Sequence, residues 1–131
     1  MKIVVLKFGG TSVGTIEKIK KVTDIIIEHK KKKNKVIVVS SAMSGVTNDL
    51  IKKSKQISNN FIESEYDVLV SSGEQVACSL IAGRLNHKGF KSRSWLGWQI
   101  PIFTNGPYTN SRIQRVNKNK LLRFLKEGGI P

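Results

Sequence analysis

The stretch that decides the fold is Lys7-Phe8-Gly9-Gly10-Thr11-Ser12-Val13. It follows Ile3-Val4-Val5-Leu6, a short apolar run rich in β-branched residues, which predicts a buried strand. A segment with helical periodicity comes next, so the order is strand, glycine turn, helix. Glycines let backbone N–H groups approach a ligand because no Cβ intervenes. Lys7 and a helix N-terminus both add positive charge, which suits a polyphosphate. A tight turn with an exposed lysine explains the pattern equally well.

The composition predicts one basic globular domain. The chain has 131 residues and a net charge of +14. Such a charge points to nucleic acid, membrane surfaces or anionic small molecules as partners. Most of the basic residues are lysines on several predicted elements, with one cluster at Lys30–Lys33, where a helix should end. Nucleic-acid binding needs one contiguous basic face, so we expect none. A non-catalytic basic module that binds nucleic acid or anionic surfaces is the alternative interpretation.

Cysteine, histidine and hydropathy patterns narrow the class further. Cys78 is the only cysteine, which excludes an intrachain disulfide and fits a cytoplasmic protein. It lies in a helical pattern, which predicts a core residue rather than a nucleophile. No apolar run approaches the ~20 residues that span a bilayer, so we expect no membrane partner. His29 and His87 stand alone, and we expect no metal site.

The first half of the chain predicts a βαβ unit. Apolar residues at helical spacing predict a helix from about Thr15 to about Lys32. Val36–Val39 predicts a second strand, parallel to the first and buried on both faces. The small polar segment Ser40–Thr47 follows it, at the carboxyl end of a strand, where open α/β sheets bind ligands. Thr47 could line such a site, although Thr47 or Asn48 could also simply cap the next helix.

The middle of the chain predicts two more helices. The first stops near Ser58–Asn60, and Phe61–Tyr66 predicts a connector. The second helix runs to about His87 and carries Glu74 early in its length. A carboxylate there is favoured by the helix dipole, which is the structural explanation for Glu74. The functional alternative is that Glu74 binds a cationic group such as a ligand amine.

The last third predicts a strand, a hairpin and a helix. Ser92–Leu96 predicts a third strand. The turn Asn105-Gly106-Pro107 separates an apolar run from Ser111–Val116, which alternates polar and apolar residues, so the two runs could pair. Asn117 is predicted to cap a final helix that ends at Gly128-Gly129. The next element expected in such a fold is another parallel strand.

Three blocks in this order and spacing resemble aspartate kinase, a member of the amino acid kinase family. They are Lys7–Val13, Ser40–Leu50 and Ser71–Glu74. Trp95–Gln99 and Asn110–Ile113 are also similar to that family. The resemblance implies a three-layer α/β/α sandwich around a mostly parallel sheet. It also implies phosphoryl transfer from ATP to the side-chain carboxylate of L-aspartate, the first step toward lysine, threonine and methionine.

The resemblance implies roles for two groups of residues. The groups facing the ATP phosphates would be Lys7, Phe8, Gly9 and Gly10. The groups facing L-aspartate would be Ser41, Thr47 and Glu74. Lys7 would be the catalytic residue, neutralising charge on the transferring phosphoryl group, and Glu74 would meet the substrate α-amino group. Mg²⁺ would be bound through the nucleotide, with no protein metal site in this chain.

The resemblance covers only the N-terminal, substrate-binding portion of such an enzyme, over residues 1–131. We expect the nucleotide-binding half and the regulatory ACT domains to be absent, and the fragment to be inactive alone. A complementing C-terminal half or a homo-oligomer would then be the protein partner. A degraded remnant without function is the remaining alternative.

Overall fold

The computed structural model describes residues 2–131, which alternate between strands and helices. In chain order the elements are β1 (Ile3–Phe8), α1 (Ile16–Lys31), β2 (Lys35–Ser40), α2 (Val46–Ile57), α3 (Glu63–His87), β3 (Ile102–Asn105), β4 (Arg112–Val116) and α4 (Asn119–Lys126). Within residues 2–131, none of the helices combines the length and the apolar character needed to traverse a bilayer.

The main sheet is parallel and is built on the predicted βαβ unit. β1 and β2 pair in parallel along their whole length, with α1 as the connection, which confirms the predicted unit. Residues 130–131 lie along the other edge of β2. The Val38 N–H donates to the Pro131 carbonyl over 2.9 Å, and Ile130 forms a parallel bridge with Ser92. The sheet therefore continues from β2 through residues 130–131 to Ser92.

The strand predicted at Ser92–Leu96 is wrong in extent, because only Ser92 pairs in the sheet. A strand persists only where a neighbour offers backbone partners, and residues 130–131 supply only a short one. The chain then leaves the sheet and turns, with the Gln99 N–H donating to the Leu96 carbonyl over 2.9 Å. The parallel pairing expected after the last helix is present at Ile130.

One face of the sheet carries the core. Val36 of β2 is fully buried against side chains from α1 and α3, among them Ile19, Ile26, Ile81 and Leu85. These α1 residues recur at helical spacing, so the predicted amphipathic helix is confirmed. The buried apolar stripe of each helix removes hydrocarbon from water, which is the main force holding the two helices on the sheet.

The opposite face is more open than predicted. Ile3, Val5 and Val39 are 52%, 60% and 45% exposed, so the predictions of a buried first strand and of a second strand buried on both faces are wrong for this face of the sheet. α4 contacts β2, and Leu121 lines a cavity together with Ile37 and Val39. α4 thereby supplies the third layer, and the predicted α/β/α sandwich with a mostly parallel sheet is confirmed.

α3 begins earlier than the sequence predicts. The predicted connector Phe61–Tyr66 is wrong, because the helix starts at Glu63. Glu63 and Glu65 stand in its first turn, where the helix dipole favours carboxylates, and this favours helix over loop. The stop predicted for the preceding helix is confirmed, since α2 ends at Ile57 and Ser58 is its C-cap.

The predicted hairpin is confirmed, and it projects from the body of the fold. β3 and β4 pair antiparallel around a turn in which Gly106 has a φ of 106°, and every residue of both strands is exposed. The Thr109 N–H donates to an Asp67 carboxylate oxygen over 3.0 Å, which tethers the turn to α3. The predicted capping role of Asn117 is confirmed by its side chain, whose Oδ1 accepts from the Asn119 N–H over 3.3 Å, although Lys118 stands directly before the first residue of α4.

Two glycines of α3 make a matched test of how closely this helix approaches its neighbours. A Cβ on Gly73 would lie 2.9 Å from the Ala42 Cβ, whereas a Cβ on Gly83 would meet nothing within 4 Å. We expect Gly83→Ala to raise the free energy of unfolding by about 0.5–1 kcal/mol. Gly73→Ala should lower it, because overpacking costs about 1–3 kcal/mol and exceeds the helical gain. Urea unfolding of both variants measures the difference, and an equal rise in both would contradict the close contact.

Candidate functional site

The glycine turn follows β1 and is anchored in the core. The Ser12 N–H donates to the Gly9 carbonyl over 2.9 Å, and the fully buried Val13 fixes the end of the turn. α1 begins at Ile16, where the Thr15 hydroxyl accepts from the Lys18 N–H over 3.2 Å. The turn is therefore separated from the helix N-terminus by a short segment, and the N–H groups nearest β1 belong to the turn itself.

The segment after β2, residues 41–45, packs directly on the glycine turn. The Ser41 N–H donates to the Phe8 carbonyl over 3.0 Å. A Cβ on Gly10 would lie 3.0 Å from the Ala42 carbonyl oxygen, and a Cβ on Gly14 would lie 3.0 Å from the Ser44 Cβ. The glycine turn and the segment after β2 therefore lie at the same edge of the sheet, as the predicted parallel pairing of the two strands requires. The absence of side chains at Gly10 and Gly14 is what allows the two backbones to meet.

The two neighbouring glycines of the turn face different surroundings. A Cβ on Gly9 would meet nothing within 4 Å, so the backbone there is open to solvent. Gly10 instead faces the second loop at close range. The open position suits a ligand, while the crowded one suits loop packing.

Glu74 reaches the second loop from α3. One of its carboxylate oxygens accepts a hydrogen bond from the Ala42 N–H over 3.2 Å. The prediction that Glu74 sits early in its helix is wrong, because α3 begins at Glu63 and Glu74 lies near its middle. The dipole explanation for this carboxylate fails as a result, since the dipole acts within the first turn. The contact with Ala42 is the structural role that the sequence did not predict.

The remaining predicted site residues lie on β1, on the segment after β2 and in the first turn of α2. Lys7 is exposed, and within residues 2–131 its ammonium group takes part in no ion pair. Ser41 and Thr47 are half-buried. Thr47 does not cap α2, and neither does Asn48. The N-cap residue is Gly45 in the left-handed conformation, with a φ of 83° that favours glycine.

A cavity of about 360 Å³ opens beside Glu74. Its wall includes Ser40, Cys78 and apolar side chains of β2 and α3. Burial raises the pKa of the Cys78 thiol, and the neighbouring Glu74 carboxylate raises that pKa further. A raised pKa keeps the thiol protonated near neutral pH, so Cys78 is half-buried packing rather than a nucleophile, as the sequence predicts.

Two contacts at this edge were not predicted. The Lys18 ammonium group donates to the Thr11 carbonyl over 2.9 Å, which places a second cation on the glycine turn. Gly14 packs on Ser44. The only hint of this contact in the sequence is that Gly14 closely follows Gly10. Nothing in the sequence distinguishes Lys18 from the other lysines along α1.

The class of protein follows from the sheet, the two loops and the sequence pattern together. Residues 2–131 match the amino acid kinase family, and the chain belongs to that family. The predicted resemblance to aspartate kinase is also confirmed. The chain is 46% identical over 130 residues to an aspartokinase of Geobacillus stearothermophilus, covering 99% of this chain and 32% of that protein. It is 42% identical over 134 residues to an aspartokinase of Rickettsia conorii, covering 100% and 33%.

Solved structures agree with the sequence comparison. Aspartate kinase from Synechocystis superposes with a TM-score of 0.84 at 34% identity, over 98% of this chain and 21% of that one. Escherichia coli aspartokinase III in complex with aspartate and ADP superposes with a TM-score of 0.80 over 99% of this chain and 40% of that one; its 20% identity supports the fold alone. The chain spans about a third of the length of the curated relatives it matches.

Proposed function

We propose that this chain is the aspartate-binding, N-terminal portion of an aspartate kinase, which transfers the γ-phosphoryl group of ATP to the side-chain carboxylate of L-aspartate. The observation that carries the proposal is the meeting of the glycine turn, the 41–45 loop and Glu74 at one edge of the sheet. A single small ligand could touch all three. The similarity to aspartokinases supplies the substrate class.

Lys7 and Gly9 would face the ATP phosphates. Lys7 is an exposed ammonium group at the end of β1, and Gly9 leaves the adjacent backbone unobstructed. Phosphoryl transfer relies on positioning and charge stabilisation more than on covalent chemistry, so a cation beside open backbone is suited to it. Phe8 and Gly10 would shape the turn, since both contact the 41–45 loop through their backbones.

Ser41, Thr47 and Glu74 would bind L-aspartate. The hydroxyls of Ser41 and Thr47 can donate to its carboxylates, and the Glu74 carboxylate can accept from its α-ammonium group. The attacking side-chain carboxylate has an ordinary pKa of about 3.9, so it is ionised at neutral pH and needs no general base. Catalysis would then depend on holding the two substrates in line.

ATP would enter with Mg²⁺ bound through its phosphates, and the rest of the nucleotide site would come from outside this chain. Within residues 2–131 no group of three His, Cys, Asp or Glu side chains could hold a metal ion. The protein partner we propose is a complementing C-terminal half or, in a homo-oligomer, a second copy of the same chain. A single cysteine fits a cytoplasmic location for that enzyme.

The test is a chimaera in which residues 2–131 replace the matching third of the Geobacillus stearothermophilus aspartokinase. We expect aspartate-dependent ADP release from the chimaera, measured by a coupled assay with ATP, magnesium and aspartate. We expect none from the 131-residue chain alone, because half of the in-line geometry is missing. A folded chimaera whose ADP release does not respond to aspartate would refute the proposal. Robust aspartate-dependent ADP release from the isolated chain would refute the proposal that activity requires a second half.

A further inference from the structure

A second cavity, of about 370 Å³, lies away from the glycine turn. It is formed by the segment after Ser92 and by α4, and its lining includes Arg93, Trp95, Gln99, Lys120, Arg123 and Phe124. Its lining does not include Lys7, Ser41, Thr47 or Glu74, although Arg93 and Trp95 also line the cavity beside Glu74. Its volume is within the range of small-molecule sites.

The charge of this cavity is strongly positive. Arg93, Lys120 and Arg123 contribute three cations, and within residues 2–131 none of them is paired with a carboxylate. The one acidic side chain in the lining, Glu127, is bound by Lys91 over 3.0 Å. Lys120 and Arg123 stand three residues apart on α4, so they project from the same face of the helix.

The aromatic residues hold the cations in place. The Arg93 guanidinium lies 4.5 Å from the centroid of the Trp95 ring, on its face. The Trp95 and Phe124 rings meet edge to face, with centroids 5.8 Å apart. The Phe124 ring covers Gly129 so closely that a Cβ there would overlap it. The floor of the cavity is therefore fixed by packing before any ligand arrives.

Trp95, which lines this cavity and the cavity beside Glu74, has a buried donor that lacks an acceptor. Within residues 2–131 the Trp95 indole Nε1 is the one buried side-chain nitrogen or oxygen without a hydrogen-bond partner. Buried N–H groups without acceptors are rare and call for an explanation. Gln99 uses its carbonyl oxygen to accept from the Leu96 N–H over 3.0 Å, which leaves its amide NH₂ group as a further donor. Cations and donors outnumber acceptors on this wall.

We propose that this cavity binds a small organic polyanion that carries phosphate or carboxylate groups. The planar guanidinium groups of Arg93 and Arg123 can each donate two parallel hydrogen bonds to the oxygens of such a group. Lys120 adds a point charge, and the Gln99 amide supplies a further donor. All three cations are exposed, and their combined field favours a multiply charged anion over a neutral or cationic ligand. The site is independent of the proposed kinase function and is tested separately from it.

The experiment is a fluorescence titration of the 131-residue chain carrying Trp98→Phe, so that Trp95 is the only tryptophan. The probes are pyrophosphate and citrate, at low and at physiological salt. We expect a saturable change in Trp95 emission with at least one probe. The stronger probe identifies the ligand class, phosphate for pyrophosphate and carboxylate for citrate.

Matched variants separate the cavity from the diffuse charge of +14. Arg123→Gln should weaken binding at least about tenfold, the loss of one charge-assisted hydrogen-bond pair. Lys126→Gln removes the same charge from the same helix outside the cavity, and should weaken binding less than about twofold.

Two results would overturn the proposal. One is the absence of saturation with both probes at millimolar concentration. The other is an equal loss of affinity in Arg123→Gln and Lys126→Gln, which would mean that only the diffuse positive charge attracts the anions. If Arg123→Gln fails to fold by circular dichroism, Lys120→Gln takes its place under the same criteria.

Discussion

Replacing Lys7 with methionine in the chimaera is expected to lower kcat at least about 100-fold, which corresponds to about 2.7 kcal/mol of transition-state stabilisation. Lys7 ends β1 beside the open backbone of Gly9, and no carboxylate of the described residues neutralises it. Methionine keeps the length and most of the apolar stem but removes the charge. Stabilisation of the charge on the phosphoryl group matters most in the transition state. The fold decrease in kcat should therefore exceed the fold increase in KM for ATP.

The matched control for this experiment is Lys2→Met. Lys2 is also exposed and directly precedes β1, so the same charge is lost at the end of the strand away from the glycine turn. That variant should retain kcat within about twofold, as expected for a surface charge. A loss of less than about threefold in Lys7→Met, under ~1 kcal/mol of barrier, would show that Lys7 does not stabilise the transition state.

The second large effect is expected at Glu74, where two substitutions separate its two roles. Glu74→Gln keeps an oxygen that can accept from the Ala42 N–H but removes the negative charge. We expect this variant to raise KM for aspartate between about 10- and 100-fold, because a hydrogen bond to a charged group contributes about 1.5–3 kcal/mol. Its thermal unfolding midpoint should stay close to that of the parent.

Glu74→Ala removes both the charge and the acceptor. It should raise KM for aspartate at least as much and should also lower the unfolding midpoint, because the Ala42 N–H is left without its partner. If Glu74→Gln keeps KM for aspartate within about twofold of the parent value while Glu74→Ala raises it well beyond that, Glu74 only supports the 41–45 loop. Steady-state kinetics and differential scanning calorimetry on the same preparations decide between these outcomes.

The site edge could be predicted from sequence because parallel strands end together. Once Ile3–Leu6 and Val36–Val39 were assigned as adjacent parallel strands, the segments after them had to meet. The local signals were also strong, since two glycines and a run of small polar residues stand at the strand ends. The contact of Gly10 with the Ala42 carbonyl follows from this topology.

The position of Glu74 in the middle of a helix could not be predicted, because the residues just before it favour a loop. Ser71-Ser72-Gly73 contains weak helix formers and is typical of a loop between elements. In the structure Gly73 lies inside α3, where the lack of a Cβ lets Ala42 approach. A tertiary contact therefore decides the local conformation. The second cavity could not be predicted from the sequence either. Arg93 and Trp95 are separated from Arg123 by the hairpin, and only the tertiary fold brings them together.

The pairing of residues 130–131 with β2 has a consequence for how the chain folds. Ile130 is 1% exposed and packs with Val36, so a core contact joins positions far apart in the sequence. Contacts of this kind slow folding, because a long loop must close before they form. During synthesis, the edge of β2 and its apolar neighbours stay uncovered until almost all of these residues have left the ribosome. An unpaired strand edge is a template for aggregation, so the nascent chain is vulnerable to aggregation during this interval.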